Sequence, residues 1–250
     1  MIVRIYYYLL YTIWINIRKN NNLKRYSNEI ILAYGDLHLP YCHRDSLEFL
    51  QSVKDRFNPD RVINMGDLMD FYSVSEYPKS IDHKDSWPVE LKKARKMIAE
   101  LAEIFPEQTL LSSNHCDRPY KKSRVAGVPR EFMVPYTEII GSPAGWKIKK
   151  EVRLTVDSTR TKFLFSHTLN GGALPAAKTL GVSVVLGHSH TKHGASAFNN
   201  GENLIWGVDV GCLISDEGAP YAYNRTQLGR PIRGCCIILD GVPHMIPMGR

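Results

Sequence analysis

Five short apolar runs, each followed within a few residues by a side chain able to bind a cation, constrain this chain more than any other feature. The runs are Ile30 to Tyr34, Arg61 to Met65, Thr109 to Leu111, Phe163 to Phe165 and Val182 to Leu186. Just after them stand Asp36 and His38, then Asp67, then Asn114 with His115, then His167, and last His188 with His190. Short apolar runs that stop at glycine or a polar residue read as buried strands. Helical stretches separate them. Leu47, Leu50, Val53 and Phe57 recur on one face behind Asp45, which is placed to cap the helix, and Pro59 stops it. A second helix is expected from about Val89, with Leu91, Ala94, Ile98 and Leu101 inward, up to Pro106. This alternation predicts a layered α/β architecture whose polar residues gather at strand ends, where open α/β sheets bind ligands.

Further along the pattern is less regular. Prolines at 119, 129, 135 and 143 leave room for one short helix over about Arg130 to Ile140. A hairpin is expected from Val152 to Phe165, a short helix around Ala176 to Leu180, and strands at Leu204 to Val210 and Cys235 to Leu239. A chain of 250 residues can bury a large core. With no repeat and no low-complexity tract, a solenoid and a disordered chain are both excluded. The expected organisation is an apolar and basic amino-terminal extension over residues 1–28, followed by a single domain over residues 29–250. Ile5 to Ile15 is apolar, but Asn16, Arg18 and Lys19 end it short of the roughly 20 residues that a spanning helix needs. Lys19 to Lys24 also lacks the small residues of a signal cleavage site. No stable membrane span is expected.

The formal charge of +7 raises the question of a polyanionic partner. Much of it comes from Arg4, Arg18, Lys19, Lys24 and Arg25, which all precede the first acidic residue, Glu29. The rest of the chain is close to neutral, yet Arg118, Lys121, Lys122, Arg124 and Arg130 cluster after His115. Of these, Arg118, Lys121, Lys122 and Arg124 are candidates for contact with substrate phosphate. The five cysteines show no Cys-x-x-Cys spacing, so neither a disulfide framework nor a structural zinc site is expected, and a cytoplasmic location fits.

The strand-end residues have the chemistry of a cation site. In Asp36-Leu37-His38 two residues in an extended segment project to one side, so a carboxylate and an imidazole can meet the same ion. In Gly66-Asp67-Leu68-Met69-Asp70 the glycine allows close backbone approach, and the two oxygens of Asp67 can bridge two cations. Asp70 is either a turn residue or a support that orients a ligand. The amide oxygen of Asn114 is a neutral ligand, and His115 beside it can reach a substrate instead of an ion. His167, His188 and His190 add three imidazoles. The set mixes oxygen and imidazole nitrogen without thiolate, which suits manganese first and iron or zinc as alternatives, and argues against calcium.

Taken together, Asp-x-His, Gly-Asp-x-x-Asp, Asn-His, a lone His and Gly-His-x-His, in this order, resemble the calcineurin-like metallophosphoesterase superfamily. The stretch from Ser113 to Trp146, with Gly211-Cys212-Leu213-Ile214, resembles a branch common in phages and bacteria. The resemblance implies a layered β-sandwich flanked by helices, with a dinuclear metal site on the strand-end loops. It implies two divalent ions per chain, one held by Asp36, His38, Asp67 and His190, the other by Asp67, Asn114, His167 and His188, with His115 as the catalytic histidine. The third motif departs from the family pattern: Ser113 stands for the usual glycine, and Cys116 for the acid that follows the histidine.

The implied activity is hydrolysis of phosphate esters. Two cations about 3.5–4 Å apart lower the pKa of a shared water and steady an in-line displacement. A phosphodiesterase or nuclease is expected first, because the basic cluster can hold a polyanion, so nucleic acid is a candidate substrate. The alternatives are a phosphomonoesterase or nucleotide hydrolase and, in another class, a non-catalytic metal-binding scaffold.

Overall fold

Alternation along the first strand, β1 (Ile30–Tyr34), sets the layering of the molecule. Successive strand side chains point to opposite faces. Here Ile30, Leu32 and Tyr34 enter one core cluster, whereas Ile31 and Ala33 enter another. The computed structural model describes residues 29–76, 78–80, 83–156, 159–217 and 229–249. The apolar and basic stretch over 1–28 lies outside the described residues.

β1 is parallel to β2 (Arg61–Asn64), which is parallel to β3 (Gln108–Leu111), which in turn is parallel to β4 (Trp146–Lys149). On the other side of β1 lie β10 (Gly234–Leu239) and β11 (Val242–Pro247), both antiparallel to their neighbours. The helices α1 (Ser46–Phe57) and α2 (Trp87–Ile104) cover one face of this sheet. Leu50, Val53 and Phe57 of α1, with Ala94, Ile98, Leu101 and Ile104 of α2, complete the cluster that Ile30, Leu32 and Tyr34 enter. Two shorter helices, α3 (Arg118–Val125) and α4 (Tyr136–Ile140), follow β3.

The second sheet is built from β5 (Glu151–Val156), β6 (Thr161–Ser166), β7 (Ser183–Leu186), β8 (His193–Asn199) and β9 (Leu204–Val210), in the order β5-β6-β7-β9-β8. Phe163 and Phe165 of β6, Val185 of β7 and Val208 and Val210 of β9 meet Ile31, Ala33 and Ile63 of the first sheet. Burying either phenylalanine contributes about 1.5–3 kcal/mol. The outer face is covered by α5 (Ala173–Leu180), whose Ala173, Ala176 and Ala177 pack on Leu164, Val184, Leu186 and Ile205. The architecture is the expected layered β-sandwich flanked by helices.

Several local expectations need correction. The proline-rich stretch after β3 holds α3 and a 3-10 turn at Arg130–Phe132 as well as α4, and then β4. Pro119 does not prevent α3, because it occupies the first turn, where no intrahelical donor is lost. Asp45 stands at the N-cap of α1 but makes no side-chain capping bond there; its carboxylate lies 3.7 Å from His43 Nδ1. The edge strands β8 and β11 were not expected. His193-Gly-Ala-Ser-Ala-Phe-Asn199 has little strand propensity and takes its conformation from pairing with β9 along its whole length. β11 carries Pro243 and Pro247, which an edge strand tolerates.

Candidate metal centre

Each motif leaves its strand within three residues of the strand's last one: Asp36 after Tyr34, Asp67 after Asn64, Asn114 after Leu111, His167 after Ser166 and His188 after Leu186. Because β1, β2 and β3 run parallel in one sheet, and β6 and β7 run parallel in the other, these ends lie together. The loops also bond to one another. Asp36 N–H donates to the Gly66 carbonyl at 3.0 Å, and His38 N–H donates to the Asp67 carbonyl at 2.8 Å. The backbone is turned sharply at the motif residues: Asp36, His38, Asp67 and His188 have φ of 54°, 52°, 46° and 66°. Non-glycine residues rarely adopt this region, and such conformations cluster where a site over-determines them.

Two glycines are needed for the close approach. Gly66 has φ of 107°, and a Cβ there would come within 2.8 Å of His167 Nδ1. At Gly187 a Cβ would come within 2.7 Å of Asp36 Oδ2.

The side chains converge on Asp67. Its Oδ2 lies 3.3 Å from His167 Nε2 and 3.7 Å from both His38 Nε2 and His115 Nε2. Asp36, His38, Asp67 and His190 form one group of mutually close ligand atoms, and Asp67, His167 and His188 form another. Asn114 Oδ1 joins the second group at 2.9 Å from His167 Nε2. All seven expected ligands are therefore brought together. His188 and Asn114 stand exposed at the mouth, whereas Asp36, His38, Asp67 and His167 are buried.

This constellation fits a pair of cations. Asp67 Oδ1 is buried and has no hydrogen-bond partner among the described residues, an arrangement that costs free energy unless a positive group meets it. His38 Nε2 and His190 Nε2 lie 3.0 Å apart. Two imidazole nitrogens at about 2.0–2.1 Å from one cation have that separation when they meet near a right angle.

Carbonyls and carboxylates outside the group orient the rings. His167 Nδ1–H donates to the Met65 carbonyl at 2.9 Å, which directs Nε2 toward Asp67 and Asn114. His38 Nδ1 bonds to Asp70 Oδ2 at 2.9 Å, and His115 Nδ1–H donates to the Asp70 carbonyl at 2.7 Å. Asp36 accepts the backbone N–H of His188 on both oxygens, at 3.0 and 3.1 Å. Such supports fix tautomer and direction.

The charges are strongly coupled. Burial opposes ionisation of Asp67, but the neighbouring histidines outweigh it and hold the carboxyl well below its usual range. Burial would lower His167, yet the Asp67 carboxylate holds it up at about 9. His38 is likewise raised, against burial, by Asp70 and Asp67. His115 goes the other way: burial, only partly opposed by Asp67, pushes it down to about 4. At neutral pH His115 is uncharged, whereas His167 keeps its proton beside Asp67.

The two departures in the third motif have local explanations. Ser113 Oγ accepts the Asp67 backbone N–H at 3.1 Å, so this side chain supports the loop that a glycine would leave unsupported. Cys116 Sγ lies 3.4 Å from both the N and Oγ of Ser113, and burial raises its thiol pKa, which suits packing and not nucleophilic attack. His115 is oriented by the Asp70 backbone carbonyl, a contact that does not depend on the side chain at position 116.

An opening of about 190 Å³ adjoins Asn114 and is lined also by Val74, Glu76, Arg118 and Lys121. Arg118 and Lys121, two of the four expected phosphate contacts, thus stand at the mouth. Lys122 and Arg124 are exposed on α3 and do not line it. Arg118 is engaged elsewhere: its Nη1 donates to Asp70. Sequence reasoning missed this anchor and also missed Lys79, which donates to the carbonyl of Ser75, the residue between Val74 and Glu76 of the lining. No local pattern marks Lys79, because it lies in an irregular loop far from every motif.

No family model matches the chain. The gene 54 protein of Mycobacterium phage L5 is 21% identical over 220 residues, which cover 78% of this chain and 84% of that protein. Among solved structures, a metallophosphoesterase from Sphaerobacter thermophilus aligns with a TM-score of 0.47 and 10% identity, over 89% of each chain. YfcE, a phosphoesterase from E. coli, aligns with a TM-score of 0.45 and 11% identity, over 84% of this chain and 87% of that one. The five motifs that carry the sequence resemblance to the calcineurin-like metallophosphoesterases deliver their side chains to one constellation in space.

Proposed function

We propose that the chain is a metal-dependent phosphoesterase that hydrolyses phosphodiesters, carried by a single domain over residues 29–250. The observation that carries this reading is the convergence of two ligand groups on Asp67, whose second oxygen is buried without a partner. Asp36, His38, Asp67 and His190 would hold one divalent ion, and Asp67, Asn114, His167 and His188 the other. Manganese suits this oxygen and nitrogen set, with iron and zinc as alternatives. When bound, two such ions supply a water of lowered pKa and positive charge against the phosphate oxygens.

The chain's own residues do the rest. Asp70 holds His115 through its carbonyl, so His115 Nε2 faces the space beside Asp67 Oδ2. An anionic phosphate arriving there favours the charged imidazole. His115 then holds a proton on Nε2 and can pass it to the leaving oxygen, a contribution of about 10²–10⁴-fold. The opening at Asn114 would admit the ester, and Leu37, Leu39 and Leu68, which alternate with the motif residues, anchor their loops in the core.

Among the described residues no helix is long and apolar enough to cross a membrane. All five cysteines are free and buried, and free thiols support a reducing, cytoplasmic setting. The test is turnover of bis-p-nitrophenyl phosphate against p-nitrophenyl phosphate by the manganese-loaded protein. Diester preference is the expected result; a clear monoester preference would favour a phosphomonoesterase, and failure to bind manganese would favour a non-catalytic scaffold.

A further inference from the structure

β2 ends at Asn64, just before the turn Met65-Gly66-Asp67, whose three carbonyls reach residues of the other motifs. The Met65 carbonyl accepts His167 Nδ1–H at 2.9 Å, the Gly66 carbonyl accepts the Asp36 N–H at 3.0 Å, and the Asp67 carbonyl accepts the His38 N–H at 2.8 Å. The direction of each carbonyl therefore sets the placement of a ligand. Gly66 stands in the middle of the turn with φ of 107°, and a glycine leaves the backbone free to rotate. Groups outside the turn must hold it.

Two side chains do so, each through one peptide plane. In a trans peptide the carbonyl of one residue and the N–H of the next point in opposite directions from a rigid plane, so holding one aims the other. Asn64 Oδ1 accepts the buried Gly66 N–H at 3.0 Å and so fixes the plane whose other end is the Met65 carbonyl on His167. Ser113 Oγ accepts the Asp67 N–H at 3.1 Å and fixes the next plane, whose other end is the Gly66 carbonyl on Asp36. The first plane thus serves a residue of the second ligand group, and the next plane serves a residue of the first group.

The surroundings of Asn64 give this contact its weight. Its side chain is fully buried, and it shares a sheet face with Val62 and with its register partner Tyr34, both members of the apolar cluster under α1 and α2. There its Nδ2 makes no well-formed hydrogen bond among the described residues, a cost that leucine at the same place would not carry. The Oδ1 bond to the turn is the contribution that an apolar side chain could not make.

We propose that Asn64 is a positioning residue for the metal centre, which acts through the Met65–Gly66 peptide to aim His167 Nε2 at the second metal position. The proposal rests on the metal-centre reading above. It adds the residue that governs one of the two ligand groups without touching an ion.

The test pairs two readouts on the full-length protein. In metal-free protein carrying isotope-labelled histidine, the His167 Nδ1–H should give a proton resonance that exchanges slowly with water, and Asn64→Leu should lose it. In calorimetric titration with manganese, Asn64→Leu should weaken the second site by about 10–100-fold and the first by less. Asn64→Asp keeps the acceptor and should restore both readouts, while Asn64→Thr, whose hydroxyl makes the same turn bond more weakly, should fall between them. Val62→Ala loosens the same strand without touching the turn and should change neither. A protected His167 proton and unaltered affinities in Asn64→Leu would overturn the proposal. So would an equal loss in Val62→Ala, which would mark a merely structural role, or no recovery in Asn64→Asp. Should thermal melts show that Asn64→Leu is unfolded, the order of Asn64→Asp above Asn64→Thr decides instead. A wild type that binds no manganese would refute the metal-centre reading, and the His167 resonance in metal-free protein would still decide whether Asn64 aims the ring.

Discussion

Arg118 Nη1 donates to two oxygens of Asp70, the backbone carbonyl at 2.8 Å and Oδ1 at 3.0 Å. Asp70 is fully buried, and it in turn holds both His38 and His115. One guanidinium thus fixes the residue that directs a ligand ring and the proposed proton donor together. Arg118→Lys cannot reproduce that fork, since an ammonium is a point charge on a flexible stem. We expect kcat to fall about 10–100-fold, with KM changed little, because loss of a support of this kind costs about that much. A rise in KM at constant kcat would instead make Arg118 a substrate contact. Steady-state kinetics on a diester separates the two.

The roles proposed for Asp67 and His115 predict different losses. Asp67→Asn removes the carboxylate on which both ligand groups meet, so manganese binding and turnover should both disappear. His115→Ala should spare metal binding and lower turnover by about 10²–10⁴-fold. Calorimetric titration with manganese measures the first effect. Thermal melts give a second readout: manganese at 100 times its Kd should stabilise the wild type by about 2.7 kcal/mol for each ion bound, and the Asp67→Asn variant not at all. Equal loss of metal in both variants would refute the assignment of His115.

Why the ligands were legible and their supports were not follows from the kind of signal each carries. Asp36, Asp67, Asn114, His167 and His188 follow short apolar runs, and a run of that kind betrays both the strand and its end. Pairing of the strands then brings distant residues together without further information. The anchoring of Asp70 by Arg118 spans 48 residues and depends on how α3 is set against the 3-10 turn at Tyr72–Val74. Nothing periodic encodes it. Ser113 and Cys116 read as losses from a motif, yet Ser113 Oγ bonds to Asp67 N–H, a contact between loops that only the fold reveals. The edge strands β8 and β11 were hidden for a related reason: their conformation comes from their partners, not from their own composition.

Glu90 gives a pH test away from the ligands. Its carboxylate, buried in α2, accepts the backbone N–H of Tyr72 at 2.8 Å and of Ser73 at 2.7 Å, and so ties down the loop that follows Asp70. Burial raises its pKa, although those N–H groups pull it back. The folded state therefore binds this proton more tightly than the unfolded state. The stability that Glu90 contributes relative to Glu90→Gln should be greatest below the ordinary glutamate range, and should decline as pH rises through the elevated folded value. Urea melts of the two proteins over a pH series measure the difference; a difference that grows with pH would contradict the direction of the shift. Glu90→Ala, which strands both N–H donors, should cost about 2–3 kcal/mol.

Gly187 offers the sharpest test of the geometry, because its backbone is unexceptional and only space forbids a side chain. A Cβ there would lie 2.7 Å from Asp36 Oδ2 and 3.1 Å from Met65 Cβ. Asp36 cannot easily yield, since both its oxygens accept the His188 N–H and Oδ1 lies 3.3 Å from His190 Nε2. Relief of the clash must turn the Asp36 carboxylate away from His190 or push the loop carrying His188 and His190 outward. Either movement separates Asp36 from His190 in the first metal group; in the second, Asp67, Asn114 and His167 keep their contacts and only His188, at the mouth, can shift. Gly187→Ala should therefore weaken the first manganese site by about 10–100-fold and the second, which can lose only His188, by less. Overpacking should cost about 1–3 kcal/mol of stability. Calorimetric titration should resolve two classes of site in the variant, and two undisturbed sites would show that Asp36 does not stand where the first ion binds.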